Sequence, residues 1–214
     1  MISTDEIEYI RRILKKTNDD INNPIDLSLP VILPLRGNKK IKLIIIGQDP
    51  TIKNQETRKE IKCTLNLDKK GSLKRYIELI LENLELTIDN LYATNIFKYF
   101  YSIPPAKTPH VLFNHLQTNL EILNKELSEF PDTPIITLGE PVLQLLTNEK
   151  AKVRDYWGYE KKTGKTNGRF KFSYANENKL KRKFFPFPHQ PSIRKKFYND
   201  TLIDYLKYLL NNLI

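Results

Sequence analysis

Three short segments carry side chains that can exchange protons or hold hydrogen bonds, and each segment follows or ends a predicted β-strand. A GQDP segment supplies Asp49, a TN segment supplies Asn95, and an HQPS segment supplies His189. In open α/β folds, ligands bind beyond the carboxyl ends of the parallel strands. We therefore expect a carboxylate, an amide and an imidazole to face one cleft.

The segments that would position these side chains alternate between strand-like and helix-like patterns. Short apolar, β-branched runs predict buried strands, and apolar residues at helical spacing predict amphipathic helices. Strands are predicted at 40–47, 91–97, 133–139 and 183–188. Helices are predicted from Thr4 to Leu14, at 72–84 with Ser72 as N-cap, and at 109–128, 140–146 and 193–213. A hairpin is predicted at 155–174, with its turn at 166–168. This alternation indicates a three-layer α/β/α fold with a mainly parallel sheet. We expect a single domain over residues 1–214, in which 1–40 form an N-terminal helix and an irregular arm.

Composition excludes several classes of protein. Cys63 is the only cysteine, which rules out a disulfide framework, a cysteine-only zinc site and a cysteine-ligated iron–sulfur cluster. The sequence has no apolar run long enough for a membrane span, and Met1 is not followed by the apolar core of a signal peptide. Motifs such as the P-loop, GxGxxG, HExxH and GxSxG are also missing from the sequence. We expect a cytoplasmic protein, monomeric and without a membrane partner.

The positive charge is concentrated in one quarter of the chain. The formal net charge is +10, and residues 150–200 contain fifteen Lys or Arg against four Asp or Glu. The rest of the chain is therefore almost neutral. Such a basic region predicts a face that binds nucleic acid, although a merely solvated surface would have the same composition.

The three chemical segments together resemble the uracil-DNA glycosylase superfamily. The resemblance rests on GQDP at 47–50, TN at 94–95 and HQPS at 189–192, and it extends from about residue 41 to 197. The LYATNIFK and IITLGEPVLQLL stretches are similar to the iron–sulfur branch of that superfamily. Because the branch needs four cysteines, this chain resembles a divergent member without the cluster.

The resemblance implies a role for each residue. Asp49 would stabilise an oxocarbenium-like sugar and position a water, and His189 would stabilise the departing base. Asn95 would read the polar edge of the base, with Gln48 in the pocket wall. No metal and no cofactor are implied. DNA is the implied partner, with the target base flipped into the pocket, and the residues expected along the DNA are Pro191, Ser192, Ile193 as a wedge, Arg194, Lys195 and Lys196.

Two departures from the family pattern leave the identity of the base open. Thr51 stands where members with GQDP usually have a tyrosine, and Thr64 is the nearest counterpart of a phenylalanine beneath the base. Stacking would then come from elsewhere, with Phe97, Tyr99 and Phe100 as candidates.

Each of these residues also has a structural interpretation. Asp49 before a proline suits a turn, His189 suits a packed loop, Asn95 can satisfy backbone groups, and Ile193 can anchor the last helix.

The leading hypothesis is a monofunctional DNA glycosylase of base-excision repair, a hydrolase of N-glycosyl bonds that removes uracil or a related damaged base. The second is a catalytically inactive protein of the same fold that binds nucleic acid. A third is a hydrolase of nucleotides or RNA that uses the same cleft.

Overall fold

The computed structural model of the chain describes residues 2–17, 25–52, 54–105 and 109–212. The strands are Leu35–Arg36 (β1), Leu43–Gly47 (β2), Leu91–Asn95 (β3), Ile135–Leu138 (β4), Tyr159–Glu160 (β5), Lys165–Thr166 (β6) and Phe184–Phe187 (β7). The α-helices are Thr4–Thr17 (α1), Gln55–Arg58 (α2), Ser72–Asn83 (α3), Pro109–Leu127 (α4), Glu140–Leu146 (α5), Val153–Tyr156 (α6), Gln190–Ile193 (α7) and Lys196–Asn211 (α8). Short 3₁₀ turns lie at Thr64–Asn66, Ile88–Asn90 and Ala175–Glu177.

The centre of the fold is a five-stranded sheet in the order β1-β3-β2-β4-β7. The pairs β3–β2, β2–β4 and β4–β7 are parallel, and only the two-residue edge strand β1 is antiparallel. All residues of the four parallel strands are buried, as expected for a parallel sheet covered by helices. Among these helices, α3 lies beside α7 and α8, and α4 lies beside α5. The predicted α/β fold with a mainly parallel sheet is therefore confirmed.

Strand register brings the predicted chemical segments to one edge of the sheet. Gly47 at the end of β2 pairs with Asn95 at the end of β3. On the other side, Leu138 at the end of β4 pairs with Phe187 at the end of β7. The chain that follows each of these strands therefore emerges at the carboxyl edge, where the sequence places its polar side chains.

An irregular arm at residues 25–34 runs along the segment that follows β3. The Asp26 amide donates to the Phe100 carbonyl at 2.9 Å, and the Ile32 amide donates to the Lys98 carbonyl at 2.7 Å. Helix α1 holds this arm from the other side, because the Arg11 guanidinium donates to the Leu29 carbonyl at 2.6 Å. The prolines of the arm explain why it forms no regular helix.

Some predicted boundaries were wrong, for local physical reasons. The hairpin of β5 and β6 turns at 161–164 rather than at 166–168, and Gly164 supplies the left-handed residue there with φ +69°. Strand β3 ends at Asn95 rather than at Phe97, although the next two amides still donate across to the carbonyls of Gly47 and Gln48. At the start of α3, the N-cap is Gly71 rather than the predicted Ser72.

The end of the chain also differs from the prediction, because the single helix expected at 193–213 is divided into α7 and α8. No helix of the described ranges is both long and apolar enough to cross a membrane.

Candidate active site

A cavity of about 580 Å³ opens at the carboxyl edge of the sheet. Its wall includes Gly47 at the end of β2 and Asp49 after it, Gly139 after β4, and His189 after β7. Residues from three separate parts of the chain thus meet around one space, which is large enough for a small organic ligand. A second cavity, of about 730 Å³, lies at the amino ends of β2 and β4, and none of the predicted site residues lines it.

Asp49 is held in the wall by the backbone of its own loop. One carboxylate oxygen accepts from the Thr51 amide at 2.7 Å, which fixes the side chain in a tight turn. Burial raises the pKa of Asp49 to about 6, and the hydrogen bonds from Thr51 oppose that rise only in part. At neutral pH the group is therefore a carboxylate, but one that takes up a proton far more readily than an exposed aspartate.

Gln48 and Thr51 join the Asp49 loop to the end of β3 and the segment after it. The Gln48 carbonyl accepts from the Phe97 amide at 2.9 Å, and the Thr51 hydroxyl accepts from the Tyr101 amide at 2.9 Å. Both residues also line the cavity. Thr51 therefore serves as a wall residue whose hydroxyl oxygen is already engaged.

The Arg58 guanidinium also forms hydrogen bonds that hold the loop of Asp49 in place. Its side chain donates to the carbonyls of Ile52 at 2.8 Å and Tyr101 at 2.9 Å. Arg58 is only 2% exposed, so these hydrogen bonds lie within the core rather than at the surface.

Asn95 lies directly behind the cavity wall. Its side chain is 1% exposed, and neither amide atom has a hydrogen-bond partner among the described residues. A Cβ added to Gly47 would lie 2.4 Å from the Asn95 side-chain oxygen, so only a glycine allows this approach. Leaving a buried polar group unpaired costs about 1–3 kcal/mol, so a hydrogen-bonding partner at this amide would be favourable.

Leu65 lies in the wall beside Gly47 and was not predicted from the sequence. The same added Cβ would lie 2.6 Å from a Leu65 methyl carbon, and Leu65 lines the cavity whereas Asn95 does not. Leu65 and Asn66 have φ of +55° and +56°, a left-handed conformation that costs a residue with a side chain roughly 1–2 kcal/mol. Asn66 is a weak sequence signal for this turn, since asparagine adopts the left-handed region more readily than most residues, but nothing in the sequence marks Leu65.

The residue considered as the counterpart of a stacking phenylalanine has another partner. Thr64 is buried, and its hydroxyl donates to the Leu33 carbonyl at 2.7 Å, away from the cavity wall. Phe97, Tyr99 and Phe100 are also fully buried, so they belong to the core and not to the wall.

His189 lies at the rim of the cavity, exposed on one side and packed against Gly139 on the other. A Cβ added to Gly139 would come within 3.3 Å of the His189 Cβ, and Gly139 has φ +95°. Desolvation lowers the pKa of His189, so the neutral imidazole prevails at neutral pH. A neutral imidazole has one N–H, which can donate to an acceptor in the cavity.

A buried ion pair supports the end of β3 and was also missed from the sequence. The Lys98 ammonium lies 3.1 Å from a Glu126 carboxylate oxygen and donates to the Asn95 carbonyl at 2.9 Å. The Thr94 hydroxyl donates to the same carboxylate oxygen at 3.0 Å. Burial lowers the pKa of Lys98 and raises that of Glu126, and their mutual attraction opposes both changes.

The predicted DNA-binding segment begins α7 and leads into α8. Ser192 and Ile193 are partly buried, and Ile193 packs against the hydrophobic core, which suits an anchor of the helix. The next three residues are exposed, and Lys196 pairs with Asp200 at 2.7 Å. The side chain of Pro191 lies outside the described part of the structure.

Basic residues before and within α3 also face the cavity, which sequence reasoning did not anticipate. Lys69, Lys70 and Lys74 line it together with Ser72. Because these lysines are far in sequence from the 150–200 region, positive charge reaches the mouth of the cavity from more than that region. In the part of the chain that the structure describes, no group of three or more His, Cys, Asp or Glu residues is placed to hold a metal ion.

Comparison with known proteins places this geometry in a family. The family model described as the uracil DNA glycosylase superfamily matches residues 34–210, which include Asp49, Asn95 and His189. Comparison with curated proteins gave no match.

Proposed function

Because the chain belongs to the uracil DNA glycosylase superfamily, we propose that it is a monofunctional DNA glycosylase. It hydrolyses the N-glycosidic bond of uracil or a related damaged base in DNA and leaves an abasic site. The observation that carries the proposal is that Asp49 and His189, 140 residues apart in sequence, line the same cavity. Their chemistry matches the two charges that develop when this bond breaks.

Asp49 acts on the sugar side of the bond. As the bond breaks, positive charge develops on the deoxyribose, and a nearby carboxylate stabilises it and positions a water for attack. The Thr51 amide holds the carboxylate in a fixed orientation, so little reorganisation is needed during the reaction. With a pKa of about 6, Asp49 is charged at neutral pH, as this role requires.

His189 acts on the base side. Negative charge develops on the departing base, and the N–H of a neutral imidazole stabilises it by a hydrogen bond. The lowered pKa of His189 supports this role, because the ring remains neutral at the pH at which Asp49 is charged. Asn95 reads the polar edge of the base, since an amide offers both a donor and an acceptor.

The DNA backbone is held by exposed positive charge around the mouth. The exposed residues Arg194, Lys195 and Lys196 come just after α7, and the exposed Lys70 and partly exposed Lys74 line the cavity from α3 and the residues before it. Phosphate contacts of this kind give affinity without sequence preference, and they weaken as the salt concentration rises.

The test is an abasic-site assay with an excess of protein. Oligonucleotides carrying uracil, hypoxanthine or xanthine are incubated with the protein and then treated with alkali, which cuts the strand at abasic sites. We expect scission with at least one base, reduced on the order of 10²- to 10⁴-fold by Asp49→Asn and by His189→Ala. Asp204→Asn and His110→Ala, which change exposed residues of α8 and α4, are the matched controls. Scission that is unchanged in both site variants would refute the assigned roles.

A second candidate is a protein of this fold that binds nucleic acid without cleaving it. The observation in its favour is that Thr51 and Leu65 line the cavity, whereas the aromatic candidates Phe97, Tyr99 and Phe100 are buried away from it and Asn95 is covered. Absence of scission on all three oligonucleotides, together with salt-dependent binding of the same DNA, would support this candidate over the first.

A further inference from the structure

Asn95 has the chemistry to read a base but is not accessible from the cavity in this structure. Both of its amide atoms are buried without a partner among the described residues, and the side chain is 1% exposed. An unpaired buried amide is unfavourable in this state, and a ligand that pairs with it in another state would be bound more tightly for that reason. The Asn95 amide, which could recognise a base, is therefore covered by neighbouring residues in this structure.

Leu65 is the cavity-lining residue that lies beside this buried amide. The Leu65 methyl and the Asn95 oxygen approach the same side of Gly47, at 2.6 Å and 2.4 Å from the position of an added Cβ. Leu65 and Gly47 line the cavity, whereas Asn95 lies behind them. A base in the cavity would therefore meet the leucine side chain before it met the amide.

The backbone of the 64–66 turn is suited to a change of conformation. Thr64 is anchored through its hydroxyl to Leu33, and Leu67 is buried at 2% exposure, so both ends of the turn are fixed. Between them, Leu65 and Asn66 have the left-handed conformation that residues with a side chain rarely adopt. Such residues persist where the surrounding structure imposes them, and they concentrate at ligand clamps and switch regions.

We propose that the 64–66 turn is a gate in which Leu65 closes the base pocket over Asn95. Entry of a base requires the Leu65 side chain to swing away from Gly47, after which the amide pairs with the polar edge of the base. Leu65 thereby selects among bases, because a base that cannot hydrogen-bond to the amide does not compensate for opening the gate. This inference rests on the proposed function for the identity of the ligand, but the gate itself can be tested without any activity.

The first measurement is hydrogen exchange of the Asn95 side-chain amide, followed by NMR on protein labelled with ¹⁵N-asparagine. The resonance is assigned by its loss in Asn95→Ala. We expect exchange in Leu65→Ala to be faster than in the wild type on the order of tenfold, because the closed state that hides the amide is no longer favoured. Leu73→Ala is the matched control, since Leu73 is also a partly buried leucine of the same cavity wall.

A second variant keeps the test decisive if Leu65→Ala lowers the melting temperature. Leu65→Gly removes the same side chain, and glycine adopts φ +55° without strain, so the turn keeps its native backbone. Exchange at the Asn95 amide that is unchanged in both variants would overturn the gate, whatever the protein does to DNA.

The second measurement is single-turnover cleavage of the oligonucleotides by the same variants. Faster exchange together with altered relative rates on uracil, hypoxanthine and xanthine would support both the gate and its role in base selection. Faster exchange without scission in any form of the protein would retain the gate and refute the proposed glycosylase function. Faster exchange with active protein but unchanged relative rates would overturn the claim that Leu65 selects among bases.

Discussion

Replacement of Asp49 by asparagine should make the protein more stable at neutral pH while removing its activity. The amide has almost the shape of the carboxyl group, and its oxygen can still accept from the Thr51 amide, which lies 2.7 Å from the carboxylate in the native protein. What changes is that no charge has to be kept in a partly desolvated wall. The expected gain therefore depends on pH in a defined way.

The size and sign of the effect follow from the pKa of Asp49. Burial raises this pKa from 3.8 to about 6, so the folded protein binds the proton more tightly than the unfolded chain does. The carboxyl group therefore favours folding below pH 4, and that contribution is lost as the pH rises through 6. Above pH 6 the lost stability is on the order of 2–3 kcal/mol, which Asp49→Asn should recover.

The assay is thermal or urea unfolding of the wild type and the variant at pH 4, 5, 6 and 7.5. At pH 4 the two free energies of unfolding should agree, and at pH 7.5 the variant should melt roughly 4–12 °C higher. Asp204→Asn, which neutralises an exposed aspartate of α8, should not show a difference that grows between pH 4 and 6. A difference that does not depend on pH, or a variant that is less stable at pH 7.5, would refute the reasoning. In the same range, cleavage by the wild type should increase with pH, with a midpoint near 6.

Three further changes test the support of the site. Gly47→Ala should destabilise the protein by about 1–3 kcal/mol in urea unfolding and abolish base binding, because the new methyl group would lie within 2.6 Å of both the Asn95 side-chain oxygen and a Leu65 methyl carbon. Lys98→Met should cost about 3–5 kcal/mol in the same assay, since it leaves Glu126 buried without its cation, whereas Lys98→Met combined with Glu126→Leu should recover most of that loss. Failure of the double variant to recover would mean that the pair contributes more than charge compensation. Gly139→Ala should cost about 1–3 kcal/mol, because φ +95° with ψ 155° is a conformation for glycine, and cleavage that remains unchanged would show that the His189 position does not depend on this contact.

The convergence of the site could be predicted from the sequence because it depends on simple rules. Short apolar runs that end in glycine or a polar residue predict parallel strands, and parallel strands end at a common edge. The register of Gly47 with Asn95 and the place of His189 after β7 follow from that rule. The assignment of chemical roles to these residues remains a prediction.

The parts that sequence reasoning missed depend on tertiary contacts. Leu65 is a leucine in a left-handed turn, and its conformation is imposed by neighbours rather than by its own preference. Lys98 and Glu126 are charged residues, which a sequence pattern assigns to the surface, yet both side chains are 1% exposed because each compensates the other. The hairpin turn was predicted at the wrong glycine. Gly164 and Gly168 both have positive φ, and only the pairing of β5 with β6 shows that the turn lies at Gly164.

The arm at 25–34 supports the region matched by the family model, although most of the arm lies outside that region. The family model begins at residue 34, but the Leu33 carbonyl that anchors Thr64 lies just outside it. Helix α1 in turn fixes the arm through Arg11. The N-terminal segment thus supports the turn that contributes Leu65 to the cavity wall, and a chain shortened to the matched region would lose the carbonyl that anchors Thr64.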